Sequence, residues 1–92
     1  MLDIQFTAQM KRSVKKMQKR GKNINKLTQV LALLAVREVL PPKYKDHQLK
    51  GNMKDCRECH IEPNWLLKYQ IHEDVLILLC VDTGTHDDLF KE

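Results

Sequence analysis

The chain has 92 residues, 42% of them hydrophobic and 30% charged, which is enough for a single domain with one modest core. Its longest unbroken apolar run, residues 75–81, is far shorter than the roughly 20 residues that cross a bilayer, and the sequence opens without a signal-like segment. We therefore expect a cytoplasmic protein without membrane contact. Three cysteines are an odd number and too few for a typical disulfide scaffold, so reduced thiols are expected.

Positive charge is concentrated in the first half of the chain. Residues 1–50 carry a net charge of +9 and residues 51–92 a net charge of −5, and residues 11–26 contain eight basic residues and no acidic one. Such a run is often only a solvated helix face. A fixed cationic surface also gains free energy when it binds phosphates, because counterions are released. The pattern therefore favours a nucleic acid or an acidic protein as partner.

The N-terminal part is expected to form a short strand and two helices. Apolar residues alternate with polar ones from Leu2 to Phe6, which predicts a half-buried strand. Helical spacing of apolar residues then runs from a cap at Thr7 to a stop at Gly21. A second helical pattern, capped by Asn23, continues to the Pro-Pro pair. The two helices are expected to pack as an αα-hairpin.

The second half is predicted to be a three-stranded meander that follows a polar loop, residues 41–54. Runs with strand character lie at residues 55–61, 65–71 and 75–81, and their three-residue separators suit antiparallel hairpins. The third run is apolar on both faces, which indicates a central strand. The sequence thus predicts one α+β domain, residues 1–92, of order β-α-α-β-β-β. Two N-terminal helices should cover one face of a small antiparallel sheet and leave the other face open for a site.

The segment C-R-E-C-H has the spacing of half a zinc site. On a regular strand, however, Cys56 and Cys59 point to opposite faces. A closed zinc site needs four ligands, and the residues left to complete it are His47, His60 and Cys80. We therefore interpret the cysteines as small core residues, keep a zinc-binding module as a lesser alternative, and expect neither a metal nor another cofactor.

Three histidines are candidates for acid–base chemistry: His47 in the loop, His60 on the first meander strand and His86 in the C-terminal turn. Cleavage of RNA without a metal needs a base for the 2′-hydroxyl, an acid for the leaving 5′-oxygen and a cation for the charge on phosphorus. Histidine suits the first two roles. Any single histidine is more often structural, so the group of three is the signal. Candidates for the cation are Arg57, Lys45, Lys50 and Lys54, and candidates for stacking on a base are Trp65 and Phe90, which also fit core positions.

The segments YKDHQLKG, RECHIEPNWLLKYQI and TGTHDDLF resemble motifs of the RelE superfamily of bacterial type II toxins, most closely those of the YafQ subfamily. The resemblance extends over nearly the whole chain. It implies a small antiparallel sheet with two N-terminal helices against it. It also implies a ribosome-dependent endoribonuclease that cuts mRNA in the ribosomal A site, and a cognate antitoxin that silences the toxin in a hetero-oligomer.

The residues that occupy the matching motif positions are expected to have the roles known in the family. The resemblance assigns acid–base chemistry to His47, His60 and His86, without deciding which ring is the base. It places Trp65 beside the site and makes Phe90 the aromatic residue that helps to hold the substrate. The basic first helix is expected to dock on ribosomal RNA through Lys11, Arg12, Lys15, Lys16, Lys19 and Arg20.

Two positions depart from the YafQ pattern. Asn64 replaces an aspartate and carries no charge. Asp82 replaces an arginine that faces the scissile phosphate in the family, and loss of such a cation costs about 2.7 to 4 kcal/mol of transition-state stabilisation. Because all three histidines are present, the sequence nevertheless favours an active mRNA interferase. The alternative is a catalytically weakened relic that binds RNA or the antitoxin.

Overall fold

A five-stranded sheet runs through the structure, a computed structural model that describes residues 1–89. The strands are β1 (Asp3–Phe6), β2 (His47–Gln48), β3 (Arg57–Glu62), β4 (Trp65–His72) and β5 (Ile77–Gly84), and the helices are α1 (Ala8–Lys19), α2 (Ile24–Ala35) and α3 (His86–Leu89). Two short 3-10 helices, Pro42–Tyr44 and Gly51–Met53, shape the loop between α2 and β3. Within residues 1–89, no helix is both long and apolar enough to span a bilayer. The predicted α+β class is confirmed.

Helix α1 begins and ends at the residues that the sequence predicts. The Thr7 side chain accepts a hydrogen bond from the Met10 amide at 2.9 Å, which satisfies one of the free N–H groups of the first turn. At the other end Gly21 has φ +86°, and the Lys22 amide donates to the Met17 carbonyl at 3.1 Å. This is a Schellman ending, and glycine adopts its left-handed position without steric cost.

Helix α2 begins at the predicted cap, Asn23, and ends at Ala35, several residues before the prolines that were expected to stop it. Arg37 adopts the left-handed conformation, with φ +65°, and the Glu38 amide donates to the Leu33 carbonyl at 3.0 Å. The helix therefore closes with a second Schellman motif. Its left-handed residue is an arginine, which has no intrinsic preference for that conformation.

The sheet is mixed rather than purely antiparallel, and its order is β1-β5-β4-β3-β2. Strands β3, β4 and β5 form the predicted antiparallel meander, with β2 added antiparallel to β3. Strand β1 pairs parallel to β5, from Asp3 opposite Ile77 to Phe6 opposite Cys80. This corrects the expected topology. Strand β5 lies between two neighbours, as predicted, but starts later than expected because the turn includes Leu76 at φ +55°.

Both helices pack on one face of the sheet, as predicted. The core combines apolar residues of α1 and α2 with inward-facing residues of the strands, among them Met10, Met17, Leu27, Val30, Cys59, Ile61, Leu67, Leu78 and Cys80. Because successive strand residues point to opposite faces, Glu58 and His60 lie on the face of β3 that is opposite to Cys59 and Ile61.

The cysteines are buried and reduced. Cys56, Cys59 and Cys80 are at most 3% exposed and form no disulfide. Burial is the main cause that raises the pKa of both Cys59 and Cys80 to about 12, so these thiols are protonated and unreactive at neutral pH. Among residues 1–89 no group of three or more His, Cys, Asp or Glu side chains is placed to hold a metal ion. Residues 57–60 of the C-R-E-C-H segment lie on β3, and both of its cysteines are buried.

Candidate active site

Three histidine rings that are distant in sequence lie side by side. The His47 and His60 ring centroids are 6.4 Å apart, and those of His60 and His86 are 5.6 Å apart. The sheet explains this convergence, since β2 pairs with β3 and the end of β5 pairs with the start of β4, next to the end of β3. The three positions singled out from the sequence thus form one cluster.

An oxygen atom lies within 3.4 Å of the Nδ1 atom of each ring. The Lys45 carbonyl lies 2.7 Å from Nδ1 of His47, and the Pro63 carbonyl lies 3.4 Å from Nδ1 of His60. An oxygen at Nδ1 favours the tautomer that carries its proton there. In the neutral ring of that tautomer, Nε2 is the nitrogen with the free electron pair, so it is the atom that can accept a proton.

Asn64 orients His86 through its side-chain oxygen. Asn64 Oδ1 lies 2.7 Å from Nδ1 of His86 and accepts the His86 backbone N–H at 3.1 Å. An aspartate could accept the same two hydrogen bonds, but would add a negative charge. The amide therefore provides the same acceptor oxygen as an aspartate but no negative charge.

A cleft of about 590 Å³ opens beside two of the rings. Its lining comprises His60, His86, Ile61, Glu62, Pro63, Lys26, Gln29, Lys43, Tyr44 and Lys45. Lys26 Nζ lies 2.7 Å from Glu62, which partly neutralises it. Lys43 lies 5.1 Å above the Tyr44 ring, which is half-buried. The cleft thus combines two imidazoles with cations and an aromatic ring, a lining suited to a nucleotide.

A hydrogen-bonded clamp fixes the residue before His47. Asp46 accepts from Arg57 at 2.7 Å and also accepts a hydrogen bond from the Tyr69 hydroxyl. Burial and then the contact with Asp46 raise the pKa of Tyr69, so its hydroxyl keeps its proton and donates. The expectation that Arg57 contacts substrate is not supported, because Arg57 is paired with Asp46 and does not line the cleft.

Trp65 is fully buried and its indole N–H donates to Thr83 Oγ1 at 2.9 Å. Full burial does not fit the expected stacking on a base, so the core interpretation of Trp65 applies.

Lys45 lines the cleft, whereas Lys50 and Lys54 are exposed on the loop before β3 and lie outside the cleft lining. Phe90, the other predicted stacking residue, lies outside the described residues.

Asp82, which replaces the family arginine, is directed to α1. Its Oδ1 accepts from the Ser13 hydroxyl at 2.5 Å and from the Thr83 amide at 2.8 Å. It is not part of the cleft lining, and it lies directly opposite Lys68 on β4. The carboxylate is therefore bound by hydroxyl and amide donors rather than exposed to a phosphate in the cleft.

The basic face of α1 is exposed and is connected to the turn that carries His86. The six cations expected to bind ribosomal RNA are all exposed: Lys11, Arg12, Lys15, Lys16, Lys19 and Arg20. Arg20 forms two hydrogen bonds to Asp88, the shorter at 2.6 Å. Asp88 also accepts from the Thr85 amide at 2.9 Å and so holds the first turn of α3.

Replacing Asp88 by asparagine should destabilise the protein at neutral pH and have little effect in acid. The hydrogen bond from Arg20, followed by that from the Thr85 amide, holds the pKa of Asp88 well below its usual value. Its ionised form therefore contributes stability that is fully present above the unfolded-state pKa of about 3.9 and is lost as the pH falls from there through the folded-state pKa. The effect should be modest, since the pair is partly exposed.

Urea unfolding of wild type and Asp88→Asn at neutral pH and at about pH 2 measures this dependence. Asp87→Asn, a change at the exposed neighbour, is the matched control. An equal loss of stability for Asp88→Asn at both pH values would show that the ionised carboxylate is not the source of the stabilisation.

Sequence reasoning missed several residues of the site. Lys43 and Tyr44 were treated as ordinary loop residues although they line the cleft. Asp46 belongs to the K-D-H motif, but nothing in the sequence indicates its contact with Tyr69. Glu58 lies on the same face of β3 as His60, and the alternation of side chains along a strand was the available signal for that position.

Comparisons with known proteins agree with the fold. The family described as the bacterial toxin of type II toxin–antitoxin system, YafQ, matches residues 2–91. The chain is 42% identical over 89 residues to the mRNA interferase toxin YafQ of Escherichia coli strain K12, a match that covers 96% of this chain and 95% of that protein.

Solved structures of related toxins superpose on this chain over nearly its whole length. A metal-bound toxin from Helicobacter pylori superposes with a TM-score of 0.93 at 42% identity, covering 98% of this chain and 100% of the other. The E. coli DinJ–YafQ complex matches with a TM-score of 0.89 at 40% identity, covering 98% and 99%. Fold and histidine cleft together define a small bacterial toxin. The chain belongs to the YafQ family of toxins of type II toxin–antitoxin systems.

Proposed function

We propose that this toxin is an mRNA interferase, an endoribonuclease that cuts mRNA in the A site of the ribosome. The convergence of His47, His60 and His86 within 6.4 Å of a neighbouring ring is the observation that carries the proposal. Three clustered imidazoles, two of which line a cleft together with cations and an aromatic ring, suit metal-independent phosphodiester cleavage. The E. coli relative that is 42% identical is named an mRNA interferase.

The proposed reaction is attack of a ribose 2′-oxygen on the adjacent phosphorus. One imidazole of the His60–His86 pair accepts the 2′-hydroxyl proton as the new oxygen–phosphorus bond forms. The bond from phosphorus to the 5′-oxygen breaks, and the other imidazole donates a proton to that oxygen. The products are a 2′,3′-cyclic phosphate and a 5′-hydroxyl, and the two rings regain their starting protonation by exchange with water.

The cleft supplies the substrate contacts in this proposal. Lys43 and Lys45 provide positive charge for phosphates, and the Tyr44 ring provides an apolar surface for a base. Lys50 and Lys54, exposed on the loop, contact the RNA outside the cleft. Trp65 supports the site from the core without touching RNA.

The basic face of α1 is the proposed ribosome-docking surface. Its residues, Lys11, Arg12, Lys15, Lys16, Lys19 and Arg20, are exposed and lie within a segment free of acidic side chains. Binding through them should weaken steeply as salt concentration rises, because each phosphate contact releases a counterion. This site of action is the reason we propose that the toxin works in the cytoplasm.

A cognate antitoxin is the proposed second partner. Membership of a type II toxin family implies one, and the related E. coli toxin is seen in a complex with DinJ. We propose an acidic or amphipathic antitoxin segment that folds on the basic toxin and forms a hetero-oligomer. A catalytically weakened relic, suggested by Asp82 and Asn64, is the alternative. The Asp82 carboxylate is bound to Ser13 outside the cleft lining, so it does not repel a phosphate in the cleft.

The proposal is tested by incubating the purified toxin with one mRNA, either free or on translating ribosomes, and mapping the cut ends by primer extension. We expect cuts within the A-site codon on ribosomes, little cleavage of free mRNA, and no effect of a chelator. Equal cleavage of free mRNA would contradict ribosome dependence. The absence of cuts in both samples would contradict the nuclease proposal.

A further inference from the structure

The turn between β3 and β4 orients both histidines that line the cleft. The Pro63 carbonyl lies 3.4 Å from Nδ1 of His60, and Asn64 Oδ1 lies 2.7 Å from Nδ1 of His86. Asn64 Oδ1 also accepts the His86 backbone N–H at 3.1 Å. The placement of this turn therefore sets the direction of two rings that come from different parts of the chain.

The backbone of the turn is not of the kind that holds a tight hairpin by itself. Glu62 pairs with Trp65, so the turn consists of Pro63 and Asn64. The two-residue turns that match the twist of the flanking strands, types I′ and II′, need a positive φ at one or both central residues. In the described part of the chain the non-glycine residues with positive φ lie elsewhere, at Arg37, Lys45 and Leu76. The placement of the turn therefore depends on contacts with the rest of the protein.

A β-bulge adds to this dependence, because it separates His60 from the turn. Between His60 and Glu62, β3 advances by two positions while β4 advances by one, from Leu66 to Trp65. Bulges bend a strand locally and re-aim the side chains beside them. A contact on the turn side of the bulge therefore limits how far the turn can move relative to the His60 ring.

Glu62 makes such a contact with the connection between the two long helices. Its Oε1 lies 2.8 Å from Lys22 Nζ, and its Oε2 lies 2.7 Å from Lys26 Nζ. Lys22 belongs to the Schellman ending of α1, and Lys26 lies in the first turn of α2, which Asn23 caps. Both lysines are thus attached to backbone that the helix caps fix in place.

We propose that Glu62 is a positioning residue whose two ion pairs with the helical connection hold the β3–β4 turn where it orients His60 and His86 for proton transfer. This role rests on the proposed function and deepens it. The hydrogen bond from Lys22, followed by that from Lys26, holds the pKa of Glu62 below its usual value. The carboxylate therefore stays ionised at neutral pH and keeps both partners.

Glu62 also lines the cleft, so its other possible role is that of a negative charge in the wall. The two roles predict opposite effects of Glu62→Gln. Removing a charge that repels phosphates should strengthen RNA binding and speed cleavage. Releasing the turn should slow cleavage, because a displacement of catalytic groups by about 1 Å can lower a rate by about a hundredfold. Ion pairs this exposed add little stability, so Glu62→Gln should fold like wild type.

The test measures cleavage over a range of ribosome concentrations, and amide hydrogen exchange by NMR, in wild type, Glu62→Gln and Lys22→Gln. Glu62→Gln should lower kcat by about tenfold to a hundredfold, with KM unchanged or lower. Lys22→Gln, outside the cleft lining, should also lower kcat, but should have little further effect in the Glu62→Gln background, since both changes break one contact. The His86 amide should exchange several-fold faster in both variants, because its acceptor Asn64 is held less firmly.

Glu73→Gln is the matched control. Glu73 also lies in a turn between two strands and pairs with a cation at the end of a helix, Arg37, but it is outside the cleft lining. Its replacement should leave cleavage and the exchange of the His86 amide at the wild-type level.

Unchanged exchange at the His86 amide in Glu62→Gln would overturn the proposal, and so would a kcat equal to or above that of wild type. If Glu62→Gln does not fold, Lys22→Gln decides by the same two criteria. A wild-type toxin that cuts no mRNA would contradict the nuclease proposal. Faster exchange at His86 in Glu62→Gln would in that case still support the role of Glu62 in holding the turn.

Discussion

Replacing His86 by alanine should lower the rate of mRNA cleavage on translating ribosomes by about 10²- to 10⁴-fold, the usual contribution of a positioned acid or base. His86 lines the cleft, its ring lies 5.6 Å from that of His60, and Asn64 orients it through two contacts. The change removes an exposed side chain, so stability should change little. Single-turnover cleavage at saturating ribosome concentration measures the rate without interference from binding.

His72→Ala is the matched control for His86→Ala. His72 is also exposed, and its Nε2 atom lies 2.8 Å from the Gln70 side chain outside the cleft. Its replacement should leave cleavage at the wild-type level. In cells, induction of wild type or of His72→Ala should arrest growth, whereas induction of His86→Ala should not. Equal toxicity of all three proteins would contradict a catalytic role for His86.

Replacing Trp65 by alanine should lower the free energy of unfolding by about 3 to 5 kcal/mol. The Trp65 side chain is fully buried in the core, and its loss leaves a large cavity and removes the hydrogen bond to Thr83. Domains of this size have a total stability of about 5 to 15 kcal/mol. The variant should therefore unfold at a markedly lower urea concentration, as measured by equilibrium denaturation.

Trp65→Phe separates packing from RNA contact. Phenylalanine keeps an aromatic ring but loses the indole N–H, so it should retain most of the stability and most of the activity. A Trp65→Ala protein that unfolds like wild type but has lost cleavage would instead support the stacking role for which the sequence made Trp65 a candidate. Thr83→Val removes the acceptor of the indole N–H and also the hydrogen bond from Thr83 to the Leu66 carbonyl, so it measures the two bonds together without opening a cavity at Trp65.

The helix ends show how far local patterns predict structure. Thr7, Asn23 and Gly21 act on backbone groups within three residues of themselves, and all three occupy the predicted cap positions. The end of α2 was misplaced because Arg37 takes a left-handed conformation that arginine does not favour by itself.

The histidine cluster was predictable as a set, but its internal arrangement was not. The alternation of side chains on β3 placed Glu58 and His60 on one face, and motif positions named His47 and His86 as companions. The hydrogen bond from the Tyr69 hydroxyl to Asp46 joins residues 23 positions apart in the chain. The hydrogen bond from the Ser13 hydroxyl to Asp82 joins residues 69 positions apart. Pairings at such separations follow from sheet register and helix packing, which a single sequence does not display.

The sequence by itself determined the α+β class, the order of β1, the two N-terminal helices and the three meander strands, the capped helix starts and the three histidines, because these depend on periodicity, turn chemistry and motif identity within short segments. It did not predict β2 or α3. Tertiary structure decided that β1 joins β5 in parallel, that Trp65 is core and that Arg57 is held by Asp46. The physical reason is that each of these contacts joins segments far apart in the chain. Its energy depends on which surfaces the packed helices and the sheet register bring together.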